Sequence, residues 1–171
     1  NLDIGDAAGT DITSADIIVA LSTNSSVEYL ADSSINILGG IDTGAATGTL
    51  ILSAPILNID SDIIADSLNL NSATITLSLG ADITTAGEMI FKDNTNLSIN
   101  GSSVFTVLDT GTLSLNGAII SGSGANDSLV LNTQNGKIDL RQMAMTSNGR
   151  LSSLTINRAT KDTINANNEN V

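Results

Sequence analysis

Aliphatic residues recur along this chain in short triplets, one on either side of a polar residue, which is the period-2 pattern of a strand with one buried face. The triplets centre on Asp3, Asn36, Asn58, Asn69, Ser78, Ser98, Ser114, Val130 and Thr155, the one at Val130 being apolar throughout. Gly, Asn, Asp or Ser bounds each of them, as turn residues bound strands. Helical spacing is scarce, so the chain reads as all-β.

The spacing of the triplets says how the strands are arranged. Leu57 with Ile59, Leu77 with Leu79, and Leu97 with Ile99 stand 20 residues apart each time. Outward from these, Ile17 with Val19, Ile35 with Ile37, Leu113 with Leu115, Leu129 with Leu131, and Leu154 with Ile156 give steps of 16 to 25. A drifting period of this size predicts a parallel β-helix of about 20 residues per coil, in roughly eight coils, with loops of unequal length. Secondary clusters at Ile63 and Ile64, Leu68 and Leu70, Ile90 and Phe91, Val104 to Leu108, and Ile119 and Ile120 call for two or three strands in each coil. Leu57, Ile59, Leu77, Leu79, Leu97, Ile99, Leu113 and Leu115 are the expected core anchors.

Asn100-Gly101 and Asn116-Gly117 each follow an anchor triplet directly. Taken alone, such pairs would fit tight antiparallel hairpins of a sandwich or barrel equally well. Hairpins leave the 20-residue echo unexplained, so the coil reading is preferred. The solenoid is expected over residues 1–156. Residues 157–171, polar and nearly aperiodic beyond Ile164, are expected to be a terminal tail or a partial last coil. No cap is visible, and the start at Asn1 suggests an excised fragment.

Composition sharpens this picture. Leucine and isoleucine supply 20 and 21 residues, enough for a continuous core, whereas the rings are only Tyr29, Phe91 and Phe105. A slender column of stacked aliphatics suits that balance better than a thick globular core. The formal charge is −12, and Lys92 is the one basic residue among the first 136. Such a surface repels phosphate backbones and anionic lipid heads, so no nucleic-acid partner is expected. The lack of cysteine leaves neither disulfides nor thiolate metal sites, and no apolar run is long enough for a membrane helix, so no membrane insertion by this segment is expected.

Histidine is absent as well, which removes the commonest general base. Asp60, Asp62 and Asp66 could serve as the paired carboxylates of a glycosidase, but an aspartate after a strand is an ordinary turn residue. Asp3, Asp6 and Asp11 lack the spacing of a calcium loop. Threonines such as Thr74, Thr76, Thr84 and Thr85 do not recur in register. No cofactor, metal or catalytic residue is therefore assigned. Because the flanking aliphatics point inward, Asn36, Asn58, Asn69 and the serines at 78, 98 and 114 should face outward and form a shallow hydroxyl- and amide-rich face.

The pentapeptides Leu97-Ser98-Ile99-Asn100-Gly101 and Leu113-Ser114-Leu115-Asn116-Gly117 resemble the degenerate repeats of bacterial autotransporter passengers and filamentous-haemagglutinin-type adhesins. The resemblance covers roughly residues 2–156. It implies a right-handed parallel β-helix, exported by a type V route to the outer membrane surface or beyond and used for attachment, aggregation or coating. The expected role is a projecting stalk that presents a binding surface to a host-cell or bacterial surface protein or glycan, or to further copies of itself. The rival roles are a surface-layer or matrix coat protein and, behind it, a polysaccharide-processing β-helix.

Overall fold

A computed structural model of the chain describes residues 1–6, 9–78, 80–146, 149–158 and 164–165. The described residues form a β-solenoid of three parallel sheets. Sheet A contains β1 (Leu2–Ile4), β3 (Ser34–Ile37), β6 (Ile56–Ile59), β9 (Thr74–Leu77), β12 (Asn96–Ile99), β15 (Ile119–Gly122) and β18 (Ala144–Met145). Sheet B contains β2 (Ser26–Leu30), β5 (Thr49–Ser53), β8 (Ser67–Asn71), β11 (Met89–Phe91), β14 (Thr112–Ser114), β17 (Lys137–Asp139) and β20 (Ile164–Asn165). Sheet C contains β4 (Ile41–Asp42), β7 (Ile63–Ala65), β10 (Ile83–Thr85), β13 (Ser102–Val107), β16 (Ser128–Thr133) and β19 (Ser153–Arg158). The chain visits A, then C, then B, and each strand pairs with its equivalent one coil away.

This makes about six turns, not eight. The true repeat runs from 18 residues, Leu50 to Leu68, to 26, Phe105 to Leu131, and reaches 33 in the first coil, Leu2 to Ile35. The shortfall has a physical origin, since triplets from different sheets carry the same alternation. Leu57 pairs with Ile75 rather than Leu77, and Leu113 lies on sheet B between Met89 and Ile138. The 20-residue steps from Leu57 to Leu97 therefore stay on sheet A but depart by two residues from the true register, whereas the 16-residue step from Leu97 to Leu113 hops from sheet A to sheet B. Of the expected anchors, Leu57, Ile59, Leu77, Leu97, Ile99, Leu113 and Leu115 are wholly buried. Leu79 lies outside the described residues.

Inward aliphatics stack rung upon rung into one core. Fully burying each leucine or isoleucine contributes about 1.5–3 kcal/mol, so the column itself is the main source of stability. Two rings reinforce it: Phe91 of β11 and Phe105 of β13 stack with centroids 5.2 Å apart. The pairing also continues past residue 156, because Asn157 and Arg158 pair with Asn132 and Thr133, and Ile164 pairs with Ile138. Asn165 likewise pairs with Asp139, and residues 159–163 and 166–171 lie outside the described residues.

The N-terminal end departs from the sequence reading. Ile17 and Val19 are not a strand triplet but lie in helix α1 (Ser14–Thr23). Thr13 caps the helix: its backbone N–H donates to Asp16 Oδ2 at 2.9 Å, and its hydroxyl oxygen accepts from Asp16 N at 3.3 Å. Ile17 and Leu21, one turn apart, bury against the core while Val19 stays exposed. The helix follows β1 and precedes β2, where a first sheet-C strand would otherwise fall. Its Ser14 hydroxyl donates to Gly40 O and accepts from Asp42 N, covering the edge of β4.

The edge of β1 is closed too, by Ile12, which bridges Ile4 in parallel, while Asp11 N and Ile12 N donate to Asp3 O. A cap therefore does exist, built from residues 9–23, and it hides two of the three strand edges that a solenoid end exposes. The third edge, that of β2, has no strand partner on its outer side among the described residues.

One inward row carries hydroxyls. Ala65, Thr85, Val107 and Thr133 lie in register at the end of sheet C, and Thr133 Oγ1 is buried without a hydrogen-bond partner. Val107 shows that a valine fits this row. Thr133→Val, which removes the unsatisfied hydroxyl at nearly constant shape, is expected to raise the unfolding free energy by about 1 kcal/mol. A urea midpoint unchanged or lowered relative to the wild type would contradict it.

Candidate binding surface

Alternation leaves three outer faces, one per sheet. On sheet A the central outward positions align as Asp3, Asn36, Asn58, Thr76, Ser98 and Ser121, one residue per coil. Each is half-buried between its neighbours. Asn58 Nδ2 donates to Asn36 Oδ1 at 2.8 Å, and Asn36 Nδ2 donates to Asp3 Oδ1 at 2.7 Å. These two bonds hold the side chains of Asp3, Asn36 and Asn58 in line, and Thr76, Ser98 and Ser121 continue the row with half-buried hydroxyls. A row of groups that both donate and accept matches neutral polar partners, including backbone amides and sugar hydroxyls.

The other residues of the expected polar face are distributed differently. Asn69 and Ser114 belong to sheet B, where the isoleucines 51 and 90 interrupt their row, and Ser78 lies just beyond β9. Thr74 and Thr76 face outward on sheet A, whereas Thr84 faces outward on sheet C and Thr85 is buried, with its hydroxyl donating to Gly87 O.

The acidic groups separate in space. Asp60 and Asp62 line a shallow depression at the corner between sheets A and C, together with Gly40, Ser61, Gly80 and Ala81. Asp66 sits beyond the opposite end of β7 and accepts from Gly48 N at 2.8 Å. Asp3, Asp6 and Asp11 accept from Asn36 Nδ2, Ser14 N and Asp3 N respectively, each serving a different donor. No group of three or more metal-ligating side chains converges among the described residues. No described helix is long and apolar enough to cross a membrane.

Sequence reasoning missed what the corner aspartates do. Asp62 Oδ1 accepts from Asp82 N at 2.9 Å, and Asp82 Oδ1 accepts from Val104 N at 2.7 Å. Each carboxylate supplies an acceptor for a backbone N–H of the next coil. Asp127 carries the scheme furthest. It is buried, and its carboxylate accepts from Gly101 N at 2.7 Å and from Ser123 N and Gly124 N, while its carbonyl accepts from Ser152. Three coils meet at this one residue.

Chiefly the Gly101 N–H, with those of Gly124 and Ser123, holds the Asp127 carboxyl below the usual carboxylate range, against an opposing push from burial. A folded-state value depressed in this way contributes stability above the unfolded value of about 3.9, lost as pH falls through the folded one. Asp127→Asn should therefore lower stability at neutral pH and flatten the acid limb below about pH 4. Urea midpoints measured across pH would reveal this, and parallel curves for the two proteins would refute it.

A scan against protein-family models finds no match to this chain, and neither curated proteins nor solved structures yield a relative.

Proposed function

We propose that this chain is a stalk segment of a surface-exposed or secreted bacterial adhesin, with sheet A as its contact face. The observation that supports this reading is the unbroken polar row from Asp3 to Ser121, fixed in register over six successive strands. Single contacts of a shallow face are weak, but a row repeated along a rigid column lets many act at once, and avidity grows without a deep pocket. The acidic, cysteine-free composition agrees with export and with solubility outside the cell.

The coat-protein reading meets a physical obstacle at the N-terminal end. End-to-end stacking needs open strand edges, and those of sheets A and C are covered by Ile12 and helix α1. Among the described residues β2 alone offers an edge there, with its last residue, Leu30, exposed.

The test is attachment. Beads coated with the segment are expected to gather bacterial or host cells in excess of beads coated with a variant carrying Asn58→Lys, Thr76→Lys and Ser98→Lys. The variant's fold would be checked by circular dichroism. Equal attachment to both would remove sheet A as the contact face, and no attachment above uncoated beads would remove the adhesin reading.

A further inference from the structure

We infer that Asn135 is a site of spontaneous backbone modification, converting through a cyclic imide to aspartate and isoaspartate. In this reaction the backbone nitrogen of the following residue attacks the asparagine Cγ. The new N–C bond closes a five-membered ring as ammonia leaves, and water then opens the ring at either carbonyl. Glycine in the following position offers the least steric resistance. What controls the rate in a folded chain is whether that nitrogen and that side chain are free to meet.

Three Asn-Gly pairs lie wholly among the described residues, and their surroundings differ. Gly101 N donates to the Asp127 carboxylate at 2.7 Å. Gly117 N donates to Arg141 O at 2.8 Å, and Asn116 Nδ2 donates to Asp93 Oδ1 at 3.0 Å. In both pairs the attacking nitrogen is engaged with another coil, and in the second the amide is held as well. At Asn135 neither restraint exists: its side chain is exposed and makes no hydrogen bond, and Gly136 N donates to no acceptor among the described residues. The corner between β16 and β17 thus leaves the attacking nitrogen and the Asn135 amide without the hydrogen bonds that hold the other two pairs, although Gly136 itself is buried.

The product matters because of where it forms. Position 136 is packed so tightly that an added Cβ would lie 2.2 Å from Gly111 O. Isoaspartate inserts one extra carbon into the main chain beside that contact, so the lengthened corner must displace β16 or β17 from its rung. Aspartate leaves the main chain unchanged and adds only a negative charge two residues from Lys137.

The experiment is peptide mapping by mass spectrometry after incubation of the intact protein at mildly alkaline pH, in buffer and in concentrated urea, with enzymatic detection of isoaspartate. In buffer, Asn135 is expected to convert several-fold faster than Asn100 or Asn116, and in urea the three rates should draw together. Asn135→Gln should remove the early charge variants. Conversion of Asn100 or Asn116 at the rate of Asn135 in the folded protein would overturn the inference, and so would an unreactive Asn135.

Discussion

Phe105→Ala is expected to lower the unfolding free energy by about 3–5 kcal/mol, the usual cost of emptying a ring-sized site in a packed interior. Phe105 is wholly buried on β13, between Ile83 and Leu131 in the adjoining coils, and stacks on Phe91 at 5.2 Å. A solenoid cannot collapse around such a void as a globule can, because every backbone rung is held by the rungs above and below. The loss also falls mid-column, so the two halves should cease to unfold together. Tyr29 is the one tyrosine in a chain without tryptophan and sits on β2, the first strand of sheet B, so its fluorescence reports the N-terminal end alone. In urea, the tyrosine signal and the far-ultraviolet dichroism should share a midpoint in the wild type and separate in the variant. A shift below about 1 kcal/mol would mean that the core relaxes freely, against the stacked-rung account.

The architecture was legible from alternation because inward aliphatics are what a column requires. Which sheet each triplet belongs to was not. Leu97-Ser98-Ile99-Asn100-Gly101 and Leu113-Ser114-Leu115-Asn116-Gly117 are nearly the same pentapeptide, yet the first forms β12 on sheet A and the second β14 on sheet B. Both end in a corner, and the Asn-Gly pair marks the corner rather than the face. Period-2 patterning carries no label for the face, so the coil number was overcounted. The helix was hidden for a related reason, since Ile17, Ile18, Val19 and Leu21 satisfy both a strand and a helix pattern. The signal that separates them is Thr13 three residues before Asp16, an N-terminal capping arrangement, followed by the i, i+4 pair Ile17 and Leu21.

The polar row of sheet A was half legible. That Asn36, Asn58 and Ser98 point outward follows from their neighbours, but that they share one row with Asp3, Thr76 and Ser121 depends on register across corners of unequal length. In the sequence Asp62 looks like any turn residue because its partner, Asp82 N, lies a whole coil away. Local sequence holds no trace of such a contact.

The second large effect is expected at Gly111, where the corner between sheets C and B stacks main chain on main chain. Gly87, Gly111 and Gly136 succeed one another there, and an added Cβ at Gly111 would stand 2.3 Å from Gly87 O and 2.8 Å from Glu88 N. These are backbone atoms already committed to the rung below, so no rotamer change can make room. Gly111→Ala must therefore push coils apart, at a cost of about 3 kcal/mol, the upper end of ordinary overpacking. Gly40→Ala provides the contrast. Its added Cβ meets nothing closer than Asp62 O at 3.8 Å, and it should be neutral or stabilise by up to about 1 kcal/mol by restricting the unfolded chain. Urea midpoints give the energies, and hydrogen exchange locates the damage, with β11 and β14 expected to lose protection first in Gly111→Ala. If the two alanine variants proved equally stable, the close stacking of coils at this corner would be wrong, and with it the reason why glycine recurs there.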